Sequence, residues 1–302
     1  MSANGASVGA LRYDTVTFLS DYGRVDEFVG VVHSVIRQLA PGVGVVDLTH
    51  DITPFDVRAA SLTLARSAQY LCPGVVLAVV DPSVGTDRRG VAIEVAGGAA
   101  IFVGPDNGIF AGAAGMVGGA ERAVVLDNDA YHLPGPGPTF DGRDVFAPVA
   151  AHLCLGVPLD DVGTPVDPAS LTPGLLPLSE MSDEGLAAEV LWVDRFGNAQ
   201  LNVDPDELAP WADRIDLLVG GRHRIARRRS TFAEVGVGEL GLIVDSYGLI
   251  TIVANRSSAA EELRIAAGDP VQLSAAASES ADGAGTTTSV RLGRRPEEEA
   301  HP

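Results

Sequence analysis

Val75-Val76-Leu77-Ala78-Val79-Val80-Asp81-Pro82-Ser83-Val84-Gly85 is six apolar residues running without a break into a polar turn. A strand with one wet face alternates apolar and polar side chains. An unbroken apolar run of this length therefore predicts a strand covered on both faces. Such strands belong to sheets flanked by helices, so this segment sets the class as α/β.

The flanking sequence agrees. Residues 15–19 are β-branched and aromatic and read as a strand. A helix follows, with Phe28, Val32, Val35, Ile36 and Leu39 on one face and Pro41-Gly42 ending it. Residues 45–48 read as a second strand. Asp56 is placed to cap a helix running to about Leu71, with Val57, Ala60, Leu64 and Ala68 inward. Beyond the quoted run, residues 91–95 and 100–103, split by Gly97-Gly98, predict a hairpin added to the sheet. Residues 143–155 predict the last helix of this domain.

The composition then shifts. Pro165, Pro168, Pro173 and Pro177 fall in a stretch with little periodicity, read as a linker over residues 164–186. After it come short strands, at 190–193, 217–219, 240–244 and 249–253, with glycine turns and no strong helix pattern. That predicts a small all-β, barrel-like domain over residues 187–274, after an α/β domain over 14–163. Residues 1–13 are expected to be an extension. Residues 275–302, rich in Ser, Ala, Gly and Thr and then charged, are expected to be a disordered tail.

The 302 residues suit about two domains, and 46% hydrophobic residues exclude a wholly disordered chain. No apolar run reaches the roughly 18 residues of a membrane span. The first 13 residues show neither a basic nor an apolar signal region, so a cytoplasmic protein is expected. The charge is 21 − 40 = −19, and every cation is Arg. Such a chain repels a phosphate backbone, which speaks against nucleic acid, and it suits a cationic ligand. The basic run at 222–229 reads as a solvated strand pair. Cys72 and Cys154 lack CxxC spacing and are read as buried thiols.

Polar residues collect where apolar strands end: Ser20-Asp21-Tyr22-Gly23, Thr49-His50-Asp51 and Asp81-Pro82-Ser83. Ligands bind at the carboxyl ends of strands in open α/β sheets. Asp21 suits a diol, since a carboxylate accepts two hydrogen bonds from vicinal hydroxyls, or it caps the next helix. Asp81 and Arg88, seven apart across a glycine turn, are close enough to pair, as an ionised site carboxylate or as a surface salt bridge. Asp141, before a predicted helix, is an N-cap or part of a site where backbone N–H groups hold an oxygen nucleophile. His50-Asp51 raises the question of a metal. His33, His132, His152 and His223 show no ligand-like spacing, so no metal is expected. Gly104-Pro105-Asp106-Asn107-Gly108 reads as a tight turn with little chemistry of its own.

Eight ordered segments between about residues 14 and 274 resemble the S-adenosyl-L-methionine hydroxide adenosyltransferases, relatives of fluorinase and chlorinase. They are Phe18-Leu19-Ser20-Asp21, the stretch from Thr49 to Asp56, that from Val80 to Thr86, Gly104 to Gly108, Thr139 to Phe146, Phe196-Gly197-Asn198, Thr231 to Val235, and Asp245-Ser246-Tyr247-Gly248. The resemblance implies an α/β domain followed by a β-barrel, and a homotrimer whose ligand lies between one subunit's first domain and a neighbour's second. It implies attack of water or hydroxide at the ribose C5′ of S-adenosyl-L-methionine, releasing adenosine and L-methionine, with no cofactor.

Carried over residue by residue, the resemblance puts Asp21 on the ribose hydroxyls. Phe55 stands where halogenating relatives carry a nucleoside-packing Trp. Asp81 and Arg88 match two members of a water-activating Asp-Arg-His set. Asp194, Asn198 and Ser246 match positions around methionine and adenine, and Asn255 and Ser257 lie along the adenine edge. The third member of the set departs from the pattern, because Asp141 stands where the family has His. Slow turnover or a non-catalytic binder of S-adenosylmethionine or adenosine is therefore an alternative. Gly142 matches the hydroxide and chloride branches, leaving a halide-using, chlorinase-like enzyme as another. Asp81 and Arg88 favour water.

Overall fold

The computed structural model describes residues 11–174 and 177–276. The expected extension up to residue 10 and the expected tail from residue 277 lie outside the described residues. The chain divides into two compact units, one ending at Leu178 and the other beginning at Ser179.

In the first unit, β1 (Thr15–Ser20), α1 (Phe28–Leu39), β2 (Gly44–Thr49), α2 (Val57–Ser67) and β3 (Gly74–Val79) are followed by β4 (Gly90–Val95), β5 (Ala100–Pro105), α3 (Ala111–Met116), β6 (Ala120–Val125), α4 (Ala147–Cys154) and β7 (Thr164–Val166). The sheet order is β2-β1-β3-β5-β4-β6-β7. The first four strands are parallel, and β4, β6 and β7 pair antiparallel.

The apolar run behaves as its lack of alternation demands. Val75, Leu77 and Val79 enter one core cluster with α1 and α4 residues, among them Val32, Ile36 and Leu153. Val76, Ala78 and Val80 enter a second cluster with Ala60, Leu64 and Ala113 of α2 and α3. Every residue of β3 is buried. Each such aliphatic side chain contributes about 1.5–3 kcal/mol by leaving water. The Asp56 carboxylate caps α2 by accepting the N–H of Ala59 (2.8 Å).

Connectivity then places a crevice. From β1 the chain passes through α1 to β2 on one side, and returns through α2 to β3 on the other. Strand order reverses between β1 and β3, which is where open α/β sheets leave a cleft beyond the strand ends.

Several sequence expectations need correction. The 164–186 stretch is not simply a linker: Thr164–Val166 adds an edge strand to the first sheet. Pro165 is tolerated because β7 pairs on one side only. The following segment is held by Asp106, whose carboxylate accepts the N–H of Thr172 (2.8 Å) and pairs with Arg89. Tyr13, assigned to the extension, is buried, and its hydroxyl donates to the Gly98 carbonyl (2.8 Å). Cys154 is buried in α4, but Cys72 is exposed, lying in the connection before β3 rather than in an element.

The second unit contains β8 (Glu180–Ser182), β9 (Gly185–Val193), β10 (Ala199–Leu201), β11 (Arg214–Val219), β12 (Arg222–Arg228), β13 (Leu240–Val244), β14 (Ile250–Ala254), the short α5 (Ala259–Leu263) and β15 (Pro270–Ala275). The pairing β9-β10-β14-β13-β12-β11-β15 returns to β9, closing a seven-stranded barrel with β8 beside β9. Alternate residues such as Ile215, Leu217 and Val219 of β11 fill its interior. Closure removes the sheet edges that short strands otherwise leave unpaired. The basic run forms β12, between β11 and β13. No helix among the described residues is long and apolar enough to cross a membrane.

Gly104 shows how tightly the central strands meet. A Cβ there would lie 2.2 Å from the Ala78 carbonyl oxygen and 2.9 Å from the Phe110 ring. Gly104→Ala is expected to lower stability by about 1–3 kcal/mol, measured by denaturant unfolding.

Candidate active site

The crevice between β1 and β3 is bordered by Asp21, immediately after β1, and by Asp81, two residues after β3. Asp21 does not cap α1. Its Oδ2 accepts the backbone N–H of Phe55 (2.8 Å). Phe55 has φ of 69°, left-handed and strained for a residue with a Cβ, and the residue is 71% exposed. Asp21 thus holds the loop after β2 in place with one oxygen.

Asp81 is fixed from three sides. Its Oδ1 accepts from Arg88 Nε (3.2 Å) and from the Ser83 N–H (3.3 Å), and its Oδ2 accepts from Arg88 Nη2 (2.5 Å). The same Nη2 donates to Asp141 Oδ2 (2.7 Å). One guanidinium therefore bridges two carboxylates. The side chains of Asp81 and Arg88 are only 6% and 8% exposed, against 24% for Asp141. The pairing is thus not the surface salt bridge that spacing alone allowed. Burial raises the Asp81 carboxyl above its ordinary value, Arg88 opposes that shift, and Asp141 adds to it. The Arg88 guanidinium lies 5.4 Å from the Phe146 ring centre, which keeps it from turning away.

Asp141 occupies the position before a π-helical turn (Gly142–Phe146) that leads into α4, yet its side chain caps nothing. Turns of this wide kind recur at functional sites. Asp21, Asp81 and Asp141 line one cavity of about 260 Å³, together with Tyr22, Phe55 and Gly142.

The second unit gathers the other expected residues. Asp194 Oδ1 accepts the N–H groups of Phe196 (2.8 Å) and Asn198 (2.9 Å), and its Oδ2 accepts from Asn198 Nδ2 (2.7 Å). Asp194 thereby builds the turn between β9 and β10. Asp194, Asn198 and Ser246 border a cavity of about 430 Å³. Asn198 also borders a cleft of about 830 Å³ with Asn255 and Ser257, where Asn255 Nδ2 donates to the Val235 carbonyl (2.8 Å).

Two site residues lay beyond sequence reasoning. Tyr22 faces the cavity, but in sequence it reads only as a residue between Asp21 and a glycine. Asn107, assigned to a plain turn, donates from Nδ2 to the Val80 carbonyl (2.8 Å), pinning the peptide next to Asp81. The fold also unites histidines that spacing kept apart. His33 Nε2 of α1 and His50 Nε2 lie 2.8 and 3.0 Å from Asp47 Oδ1 of β2. Among the described residues this is the group whose ligand atoms converge within 4.8 Å. Ser20 Oγ lies 2.8 Å from His50 Nδ1, and the His50 carbonyl accepts the Gly23 N–H (2.8 Å). These contacts brace the loop that carries Asp21.

Residues 16–163 match the SAM hydroxide adenosyltransferase N-terminal domain, and residues 188–272 match the C-terminal domain of the same family. The chain is 42% identical over 260 residues to a protein of Salinispora tropica named (R)-S-adenosyl-L-methionine hydrolase, covering 86% of this chain and 97% of that one. A protein of the same name from Thermus thermophilus is 44% identical, at 85% and 98% coverage. A fluorinase from an Actinoplanes species is 26% identical, at 91% and 100% coverage. Among solved structures, an uncharacterized conserved protein from Thermotoga maritima superposes with a TM-score of 0.79 at 33% identity, over 85% of this chain and 99% of that one.

The bridging guanidinium makes a clear prediction. In Arg88→Gln, two carboxylates face each other without their shared cation. The Asp81 carboxyl is expected to titrate at higher pH than in the parent, followed by carbon-detected NMR of the side chain. An unchanged midpoint would show that Arg88 does not hold its charge.

Proposed function

This chain belongs to the SAM hydroxide adenosyltransferase family, and we propose that it hydrolyses S-adenosyl-L-methionine to adenosine and L-methionine. The observation that carries this reading is the Asp81–Arg88–Asp141 bridge opening on the same cavity as Asp21. The relatives at 42–44% identity, over most of both chains, support it.

The sulfonium of the substrate is already an activated leaving group, so the reaction draws on no metal to polarise it. Asp21, at the sheet's crevice, accepts hydrogen bonds from the two ribose hydroxyls with the lone pairs left beside its Phe55 contact. Asp81 takes the proton of a water aligned behind C5′. The oxygen–C5′ bond forms as the C5′–sulfur bond breaks, its electron pair returns to sulfur, and one proton is released for each substrate consumed. Positioning in line removes most of the entropy cost, and proton acceptance supplies the rest. The raised Asp81 carboxyl is a stronger base than an ordinary carboxylate. A cavity lined by three carboxylates attracts a sulfonium and repels a halide, which favours water over a chlorinase-like reaction.

Assembly is part of the same proposal: a cytoplasmic homotrimer in which one subunit supplies the Asp21–Asp141 half of the site. A neighbour supplies Asp194, Asn198, Ser246, Asn255 and Ser257. Support comes from the division of these residues between two compact units.

Incubation of the purified chain with S-adenosyl-L-methionine should yield adenosine and methionine in equal amounts on chromatography, and unchanged substrate would overturn the reading. Asp81→Asn should lose roughly 10²–10⁴-fold in kcat. Because the base must be ionised, activity should fall on acidification, with a midpoint above the ordinary carboxylate range. Asp141→His should raise kcat with little change in KM, since an imidazole can take up and release a proton near neutrality.

Subunit exchange tests the assembly. Asp21→Ala and Asn198→Ala proteins, each inactive, should recover activity when mixed, with about one site in four intact in randomly mixed trimers. No recovery after proven exchange would argue for sites built within one subunit.

A further inference from the structure

Tyr22 follows the proposed ribose residue, and its ring is locked in place. Its centroid lies 5.6 Å from those of Phe28 and Phe140 and 6.3 Å from that of Phe18, with the Phe18 and Phe140 contacts edge-on. Such packing fixes where the hydroxyl points. The hydroxyl borders the cavity lined by Asp21, Asp81 and Asp141, and it makes no hydrogen bond among the described residues. A Cβ built on Gly142 would lie 2.2 Å from Tyr22 Oη. The hydroxyl therefore fills the space that any side chain at position 142 would need. Burial and the charges of Asp21, Asp81 and Asp141 push the phenol's titration well above its usual range, so it is protonated at neutral pH.

A polar group without a partner, held rigidly beside three carboxylates, is a contact waiting for a ligand atom. Resting on the hydrolase reading above, we propose that the Tyr22 hydroxyl positions the attacking water. An attacking water needs both its hydrogens engaged and one lone pair free. Asp81 accepts one hydrogen, and Tyr22 Oη accepts the other through its own lone pair. With its proton turned toward the negative field of Asp21, Asp81 and Asp141, the phenol presents its lone pair to the water. The free lone pair is then aimed at C5′. No proton is lost from Tyr22, and the one proton released passes to Asp81. The same oxygen lone pair opposes a halide, and with Gly142 it forms a matched pair. A side chain at 142 and a hydroxyl at 22 exclude each other.

The test uses Tyr22→Phe in the full-length protein, which keeps the ring packing and removes only the oxygen. Substrate hydrolysis is followed by adenosine formation. The expected result is a fall in kcat of roughly 10–100-fold, as for a misplaced nucleophile, with KM and thermal midpoint close to those of the parent. Gly142→Ala should impair the parent strongly and the Tyr22→Phe background much less, because the clashing atom is gone. A Tyr22→Phe enzyme with parental kcat overturns this inference while leaving the hydrolase reading intact. A loss explained by a lower melting temperature or a higher KM overturns it too, since that is a structural or uniform-binding role. A parent that forms no adenosine overturns the hydrolase reading, and this inference falls with it.

Discussion

A strand with no polar face has to be covered twice, and the first unit is organised by that constraint. β3 sends alternate residues into two separate cores, so α1 and α4 must lie on one side of the sheet and α2 and α3 on the other. Helices on both faces require the chain to leave β1 in one direction and return to β3 in the other. The crevice that results is a by-product of covering an apolar strand. The residues just past β1 and β3 are the ones placed to use it. Asp21 and Asp81 stand at the crevice because of where their strands end.

Electrostatics in that crevice is a balance held by one side chain. Two carboxylates beside each other, both largely withdrawn from water, disfavour ionisation. Arg88 offsets this by donating to both, and it is always charged. The remaining parts keep Arg88 and Asp81 from moving: the Phe146 ring next to the guanidinium, the Ser83 N–H on Asp81, and the Asn107 amide on the preceding peptide. The cost is a carboxyl that ionises less readily than an ordinary one, and that cost is the source of its basicity.

Legibility in the sequence followed the range of the forces involved. β3, the Asp56 cap, the β4–β5 hairpin and the Asp81–Arg88 pair are set by neighbours within a few residues, and each reads directly from spacing. β6 and α3 were not legible, since Ala120–Val125 carries two exposed charged residues and Ala111–Met116 is a short run of small side chains. β7 was hidden by its proline, which only an edge position tolerates. The His33–Asp47–His50 group joins a helix to a strand, and local spacing cannot report a contact made by a crossover. Tyr22 shows the same limit. The ring reads as hydrophobic, and only the fold reveals that its hydroxyl lies over Gly142.

The direction in which charge moves explains why carboxylates suit this site. In the proposed reaction the substrate arrives as a cation centred on sulfur, and the transition state shifts positive character from sulfur to the attacking water. Carboxylates placed beside the sulfonium alone would hold the ground state more tightly than the transition state and slow the reaction. Carboxylates placed beside the water gain as the reaction proceeds. Asp81 and Asp141 are joined through Arg88 beside the π-helical turn. Asp141, which shares Arg88 with Asp81 and raises the Asp81 carboxyl further, adds to the field that the developing charge requires.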